Sequence, residues 1–309
     1  VPNCKFGIFK TAKLAVWHSF YFLPGFNRRS AMSELLIKSA SPENLNRAWR
    51  KHRSEKTVWI TGLSRKEMEP NLAFHLLKLS EDLRKGRYKP EQVRFFPVSK
   101  GDGGQRIISA LCLRDKVAQS AVLSVIQPMA EAVFHDFSFG YRRNRNIDMA
   151  LAKCREFMLC GTQWVVDADI KGFFDNIPHG PLMKKVKALI KDNDVCTLIE
   201  KWLDSGTYKR GFLARAKGIP QGSILSPILC NIYMNDFDWE LSSKNLPFLR
   251  YADDFIVFAK TKEDALKAMD YIGKYLKRLG LELNMKKTRV AQAGPGIVFL
   301  GRKLPKIKK

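Results

Sequence analysis

The run RYADDFIVFA (250–259) sets two adjacent carboxylates, Asp253 and Asp254, inside an otherwise apolar stretch. Its β-branched and aromatic content makes it part of a hairpin, FLRYADDFIVFA, with the tight turn at Ala252–Asp253. Neighbouring acids in such a place repel each other and lose hydration, which a fold tolerates when a cation sits among them. A second acid-bearing segment precedes it. TQWVVDADIKGFFDNIP (162–178) reads as a strand, with Trp164, Val166, Ala168 and Ile170 on one face and Val165, Asp167 and Asp169 on the other. If the two segments pair, Asp169, Asp253 and Asp254 converge at one edge of a sheet. Oxygen ligands with no His or Cys nearby suit Mg²⁺, with Mn²⁺ as substitute. Two such ions about 4 Å apart activate an attacking hydroxyl and stabilise a leaving pyrophosphate. Taken singly, each acid has a plainer reading, as a solvated turn or as half of a salt bridge.

The rest of the chain reads as helices packed on that sheet. Ser41 and Pro42 open a helix over SPENLNRAWRKH. Leu72, Leu76, Leu79 and Leu83 recur at helical spacing up to a stop at Gly86. VRFFPVSKGDGGQRIIS (93–109) reads as two short strands around a Gly-rich turn, followed by a helix from about Leu113 to Ala132. Helical segments fill 180–203. GIPQGSILSPILCNIYMNDFDWEL is a Gly/Pro loop and a helix, with Ser226 as N-cap and Pro227 at its first position. TKED (261–264) has the form of a capping box. The helix it opens carries Leu266, Met269, Ile272, Leu276 and Leu279 on one stripe and ends at Gly280. LELN and IVFLGRKL add short strands. The order predicts an α+β fold with helices packed on an antiparallel sheet.

Charge narrows the partner. The 309 residues include 54 Lys and Arg against 30 Asp and Glu, a formal +24. Nucleic acid is the leading polyanion; an acidic membrane surface ranks behind it, since no clean basic amphipathic helix stands out. With 45% apolar residues the chain is not a disordered one. Six scattered cysteines, without a C-x-x-C pair, fit reduced thiols in a cytoplasmic protein and exclude a disulfide scaffold or structural zinc. The apolar stretch near Leu14–Leu23 is broken by His18 and Ser19, so no membrane span is expected.

Five blocks in order, DIKGFFDNI, GIPQGSILSPILCNIYM, RYADD, GLELNMKKT and FLG, resemble the successive palm motifs of reverse transcriptases, in form closest to the group II intron-like branch. LRKGRYKP, SKGDGGQRIIS and SFGYRRNRNIDMA resemble the fingers blocks of the same family, and the likeness runs from about residue 44 to 303. It implies a right-hand polymerase with fingers and an antiparallel palm, and with the thumb missing, since only a short basic stretch follows FLG. The implied divisions are a basic N-terminal extension (1–60), fingers (61–160), first part of the palm (161–178), helices with the nucleotide-pocket loop (179–225), and the palm with YADD hairpin and primer grip (226–309).

The resemblance also implies roles. Asp169, Asp253 and Asp254 would be the catalytic metal ligands, with Asp167 in support. Phe174 would be the aromatic gate under the sugar, clashing with a ribonucleotide 2′-hydroxyl. Gln221 and Gly222 would line the nucleotide pocket, Gly222 letting the backbone approach base and sugar, and Lys100 and Arg106 would fold over the triphosphate. Lys287, with Lys286 as competitor, would protonate the pyrophosphate. Phe299, Leu300 and Gly301 would grip the primer, and Arg142 and Arg143 would meet the template backbone. The implied activity is RNA-directed DNA polymerisation, using dNTPs, an RNA template and a DNA or RNA primer. Two settings are implied. One is cDNA synthesis for CRISPR spacer acquisition in antiviral defence, beside integrase and RNA-processing domains, to which YMNDFD also points. The other is a group II intron-type reverse transcriptase and maturase. A non-catalytic RNA-binding splicing cofactor is the alternative from another class. An RNA-dependent RNA polymerase is opposed by the aromatic at 174.

Overall fold

The structure, a computed structural model, describes residues 33–99, 105–206 and 217–306. Helix α1 (Glu34–Ser39) starts where the Ser33 hydroxyl accepts from the Leu36 N–H, and α2 (Pro42–His52) where Ser41 accepts from Asn44. A Ser64–Glu67 capping box opens α3 (Arg65–Met68), which runs through a 3₁₀ turn into α4 (Leu72–Arg84). Leu76, Leu79 and Leu83 of α4 are buried, and the chain leaves the helix through Gly86 at φ +68°. Strands β1 (Arg94–Ser99) and β2 (Gln105–Ala110) form an antiparallel hairpin. Next come α5 (Leu113–Val133), α6 (Ile147–Leu159), β3 (Trp164–Asp169), the single turn α7 (Phe173–Asn176), α8 (His179–Ile190) and α9 (Asn193–Ser205). The chain continues through α10 (Ser226–Ser243), β4 (Phe248–Tyr251), β5 (Asp254–Ala259), α11 (Lys262–Arg278), β6 (Arg289–Gln292) and a small hairpin, β7 (Val298–Phe299) and β8 (Arg302–Lys303). Among the described residues no helix is long and apolar enough to cross a membrane.

The main sheet has the order β4-β5-β3-β6, every neighbouring pair antiparallel. Both faces are covered. Val166, Ala168, Phe255 and Val257 join α10 and α11 in the main core, while Val165, Ile256 and Phe258 meet Cys154 and Phe157 of α6 and Phe299 of the small hairpin. Each fully buried aliphatic or aromatic side chain here contributes roughly 1.5–3 kcal/mol. The described part of the predicted N-terminal extension belongs to the same main core through Leu36, Leu45, Trp49 and Trp59. The Asn44 amide ties it down by donating to the carbonyls of Ser39 and Ala121.

Four local expectations need correction. The strand predicted over 162–178 ends at Asp169, because Gly172 at φ +52° turns the chain into α7 and Ile170 makes only an isolated bridge to Leu283. LELN supplies that bridge and no strand; the fourth strand is Arg289–Gln292, paired to β3. Leu225, not Ser226, is the N-cap of α10, and the Ser226 hydroxyl donates to the Pro220 carbonyl. On α11 the buried stripe is Ala265, Ala268, Ile272 and Leu276, with Leu266 at 44% exposure. Alanines let that helix lie close on the sheet, which swings Leu266 outward.

Candidate active site

The hairpin that carries Asp253 and Asp254 is shaped by a side chain below it. Arg250 is 0% exposed, and its Nε and Nη2 grip both Asp238 oxygens at 2.7 and 2.6 Å. Its remaining donors reach Ser138 Oγ, Asn231 Oδ1 and the Ala252 carbonyl. That last bond, 3.0 Å long, holds the turn. Ala252 adopts φ +62°, unusual for a residue with a Cβ, so that Asp253 stands at the apex between paired Tyr251 and Asp254. Antiparallel register then sets Asp254 opposite Asp169 at the end of β3. Asp167, two residues back, is partnered by Arg289 across β6 at 3.1 Å.

Electrostatics report the crowding. Desolvation, then repulsion from Asp253 and Asp169, pushes Asp254 up to about 6, even though the residue still touches solvent. Asp253 is raised, first by desolvation and then by Asp169. Asp169 is braced: Asn284 Nδ2 donates to one oxygen at 2.9 Å, Lys287 Nζ lies 3.7 Å from the other, and the Asn284 N–H binds the Asp169 carbonyl. Among the described residues no three acidic, His or Cys side chains already form a metal cage. The donor set nonetheless fits a hard divalent cation, with only carboxylate oxygens present and mutual repulsion that a cation would relieve.

Beside the acids lies a cleft of about 500 Å³, lined by Asp169, Asp253, Tyr141, Phe174, Gln221, Gly222, Asn284 and Lys287. Six of the sequence-predicted residues, Asp169, Asp253, Phe174, Gln221, Gly222 and Lys287, thus meet in one place, while Asp254 adjoins them through the hairpin without lining the cleft. Phe174 sits on α7, whose carbonyl accepts from the Ile219 N–H at 2.7 Å, so the Gly/Pro loop fastens the ring's backbone. Gly222, at φ +114°, has its own structural reason. A Cβ there would lie 2.3 Å from the Ser109 carbonyl, so the glycine lets this loop meet β2, where Ser109 N–H donates to the Gln221 carbonyl. Lys287, not the neighbouring Lys286, lines the cleft.

Other expected contacts fall elsewhere. Lys100 lies outside the described residues, and for Arg106 only its backbone place on β2 is described. Arg142 is not a free backbone-binding cation: its guanidinium is tied to Glu131 and to the carbonyls of His135 and Ser138. Arg143 beside it is exposed. Phe299 is buried in the second core and cannot touch a primer with its ring, whereas Leu300 and Gly301 form the turn of the small hairpin at φ +52° and +76°. Arg250, Asn231, Asp238, Asn284 and Tyr141 escaped the sequence reading. The signal for the first was present, a lone arginine inside an apolar strand that has to find a buried partner.

A family model described as reverse transcriptase (RNA-dependent DNA polymerase) matches residues 98–304. Protein YkfC of Escherichia coli (strain K12) is 30% identical over 88% of this chain and 83% of its own length. The group II intron-encoded protein LtrA of Lactococcus lactis is 28% identical over 72% of this chain, which spans 48% of LtrA. A telomerase from Candida tropicalis, solved with a fragment of telomeric RNA, matches in fold over 79% of this chain and 48% of its own, with a TM-score of 0.54 at 14% identity. With most of its length under the family model and its acids paired across the central strands, the chain belongs to the reverse transcriptase family.

Proposed function

We propose that this chain extends a primer 3′-hydroxyl with dNTPs along an RNA template, with Asp169, Asp253 and Asp254 holding two Mg²⁺ ions and Mn²⁺ as substitute. One observation carries this: Asp169 and Asp254 are register partners, Asp253 caps the turn between β4 and β5, and a cleft opens beside them. When bound, the ions supply Lewis acidity to the reacting phosphate and favour ionisation of the attacking hydroxyl. The side chains do the positioning. Lys287 lends positive charge and a proton to the leaving pyrophosphate from its place in the cleft. Phe174 lies under the sugar and rejects a 2′-hydroxyl, and Gln221 and Gly222 line the nucleotide. Lys100 and Arg106 cover the triphosphate, Arg143 meets the template backbone, and the Leu300–Gly301 turn supports the primer strand. Fixed charges of this kind dominate phosphoryl-transfer catalysis.

For the setting, likeness to LtrA favours a group II intron-type enzyme. CRISPR spacer acquisition, with integrase and RNA-processing partners, is the competing setting, and the full reading frame around this chain distinguishes the two. The scattered cysteine spacing, without a C-x-x-C pair, supports a reducing compartment such as the cytoplasm.

The test is primer extension on an RNA template with Mg²⁺. The Asp253→Ala/Asp254→Ala double variant is expected to lose at least about 10³-fold in rate. Equal extension by wild type and variant would overturn the proposal. Tight RNA binding without extension by wild type would favour the splicing cofactor instead.

A further inference from the structure

Tyr141 lies in the cleft without an assigned part, and its backbone is strained to put it there. The segment leading to it is clamped to the catalytic hairpin. Phe139 N–H donates to the Arg250 carbonyl at 2.8 Å, and the Gly140 carbonyl accepts from Asn231 Nδ2 at 2.8 Å. A Cβ at position 140 would stand 2.4 Å from the Ala252 nitrogen and 2.9 Å from the Tyr251 carbonyl carbon, so this contact is backbone against backbone. On the other side Arg142 is fixed by Glu131, His135 and Ser138. Between these two anchors Tyr141 takes φ +61°, a region that a bulky side chain rarely enters. Strain of this kind persists where the surroundings impose it, and it marks functional sites.

The result is a ring 49% exposed that reaches over the cleft to Phe174, with centroids 6.5 Å apart and planes at 74°. Phe174 also meets Phe173, at 5.6 Å and 72°, itself 2% exposed in the core. Phe174 therefore has two aromatic neighbours, one buried and one exposed. Burial and then Asp253 raise the Tyr141 phenol, which keeps the ring neutral beside the carboxylates.

We infer that Tyr141 is the positioning residue of a two-ring sugar gate: anchored on the turn that carries Asp253, it holds Phe174 in the pose that excludes a ribose 2′-hydroxyl. This rests on the role proposed above for Phe174. It ties sugar selection to the same backbone that sets the catalytic acids.

The experiment is single-nucleotide extension on an RNA template, measuring kcat and KM for a dNTP and its matching rNTP. The proteins are wild type, Tyr141→Phe, Tyr141→Leu, Phe174→Ala and the Tyr141→Leu/Phe174→Ala double variant, each checked by thermal melting. Tyr141→Leu is expected to lower the preference for dNTP roughly tenfold, the scale of one lost aromatic pair, with dNTP kcat changed far less. Tyr141→Phe keeps the preference, since the ring and not the hydroxyl makes the contact. The double variant is no less selective than Phe174→Ala alone, because both act through one ring. An unchanged preference in Tyr141→Leu beside a lost one in Phe174→Ala overturns the role of Tyr141 and leaves the gate standing. Multiplying effects in the double variant overturn it too. An unchanged preference in Phe174→Ala removes the gate itself, and this inference with it.

Discussion

Arg250 is fully buried, and its five N–H donors go to Asp238 twice, Asn231, Ser138 and the Ala252 carbonyl. A buried ion pair is weak ground for stability, because desolving both charges offsets their attraction, and well-packed apolar residues often serve as well. What an apolar pair cannot do is hold the Ala252 carbonyl, and with it the left-handed backbone that lifts Asp253 to the apex. Arg250→Lys removes the fork and leaves Asp238 incompletely bonded, so chemical denaturation is expected to show a loss of about 3–5 kcal/mol. Arg250→Met/Asp238→Leu is expected to recover most of that stability yet remain poor in primer extension. Full polymerase activity in the double variant would mean that the turn holds itself. The pairing of Asp169 with the Asp253–Asp254 hairpin was legible in the sequence because two of these acids are adjacent and the third stands in an alternating strand. The network beneath them was not, since its partners at 138, 231, 238 and 252 meet only after folding. Arg142 misled for the same reason: nothing local distinguishes a guanidinium tied to Glu131 from one waiting for a phosphate.

Between elements, the joints are polar or aromatic clips. His52 joins α2 to α5, Nδ1 at 2.5 Å from Glu55 and Nε2 at 2.6 Å from Ser120. The distances match those of a hydrolase triad, but Ser120 is buried within α5, whose amides are bound in the helix, so no oxyanion site adjoins it. The clip is structural. His135, in the link between α5 and α6, packs against Phe137, Trp239 and Phe248, and its Nδ1 accepts from the Phe137 N–H. Burial lowers its pKa below the ordinary 6.5; Asp238 and Asp136 oppose that shift, and Arg250 and Arg142 add to it. The unfolded chain therefore takes up this proton more readily than the folded one. The stability His135 contributes is complete above the unfolded value and is lost as pH falls through the folded one. Melting temperature is expected to drop between about pH 7 and 5 in wild type, and to drop less in His135→Gln. Parallel curves would assign the fall to other groups. Elements with local signals were legible: the helices with Ser41 and Thr261 caps, the leucine stripe of α4, and the hairpin around Ala252–Asp253. Strand β6 was not, because RVAQ has little intrinsic strand pattern and becomes one by pairing with the free edge of β3.

For the whole molecule, the +24 charge has to be reconciled with folding. Most ion pairs on its surface, such as Lys38–Glu34 and Lys274–Asp270, are solvent-exposed and worth about 0–1 kcal/mol each. They do not cancel the excess, so the folded chain carries net self-repulsion that a phosphate backbone would relieve. If about five lysine and arginine side chains each neutralise one phosphate of a duplex, log Kd should rise with log salt at a slope near 4.5. Raising salt from about 50 to 200 mM should then weaken binding by roughly 10²–10³-fold, read by fluorescence anisotropy on an RNA template annealed to a DNA primer. Arg143→Ala, at an exposed site, should lower that slope by about one and weaken binding evenly across sequences. Arg142→Ala should act otherwise, costing thermal stability, because its guanidinium already serves Glu131, His135 and Ser138. A flat salt response would assign the positive charge to another partner. An equal slope change from both variants would mean that the Glu131 pair opens when nucleic acid arrives.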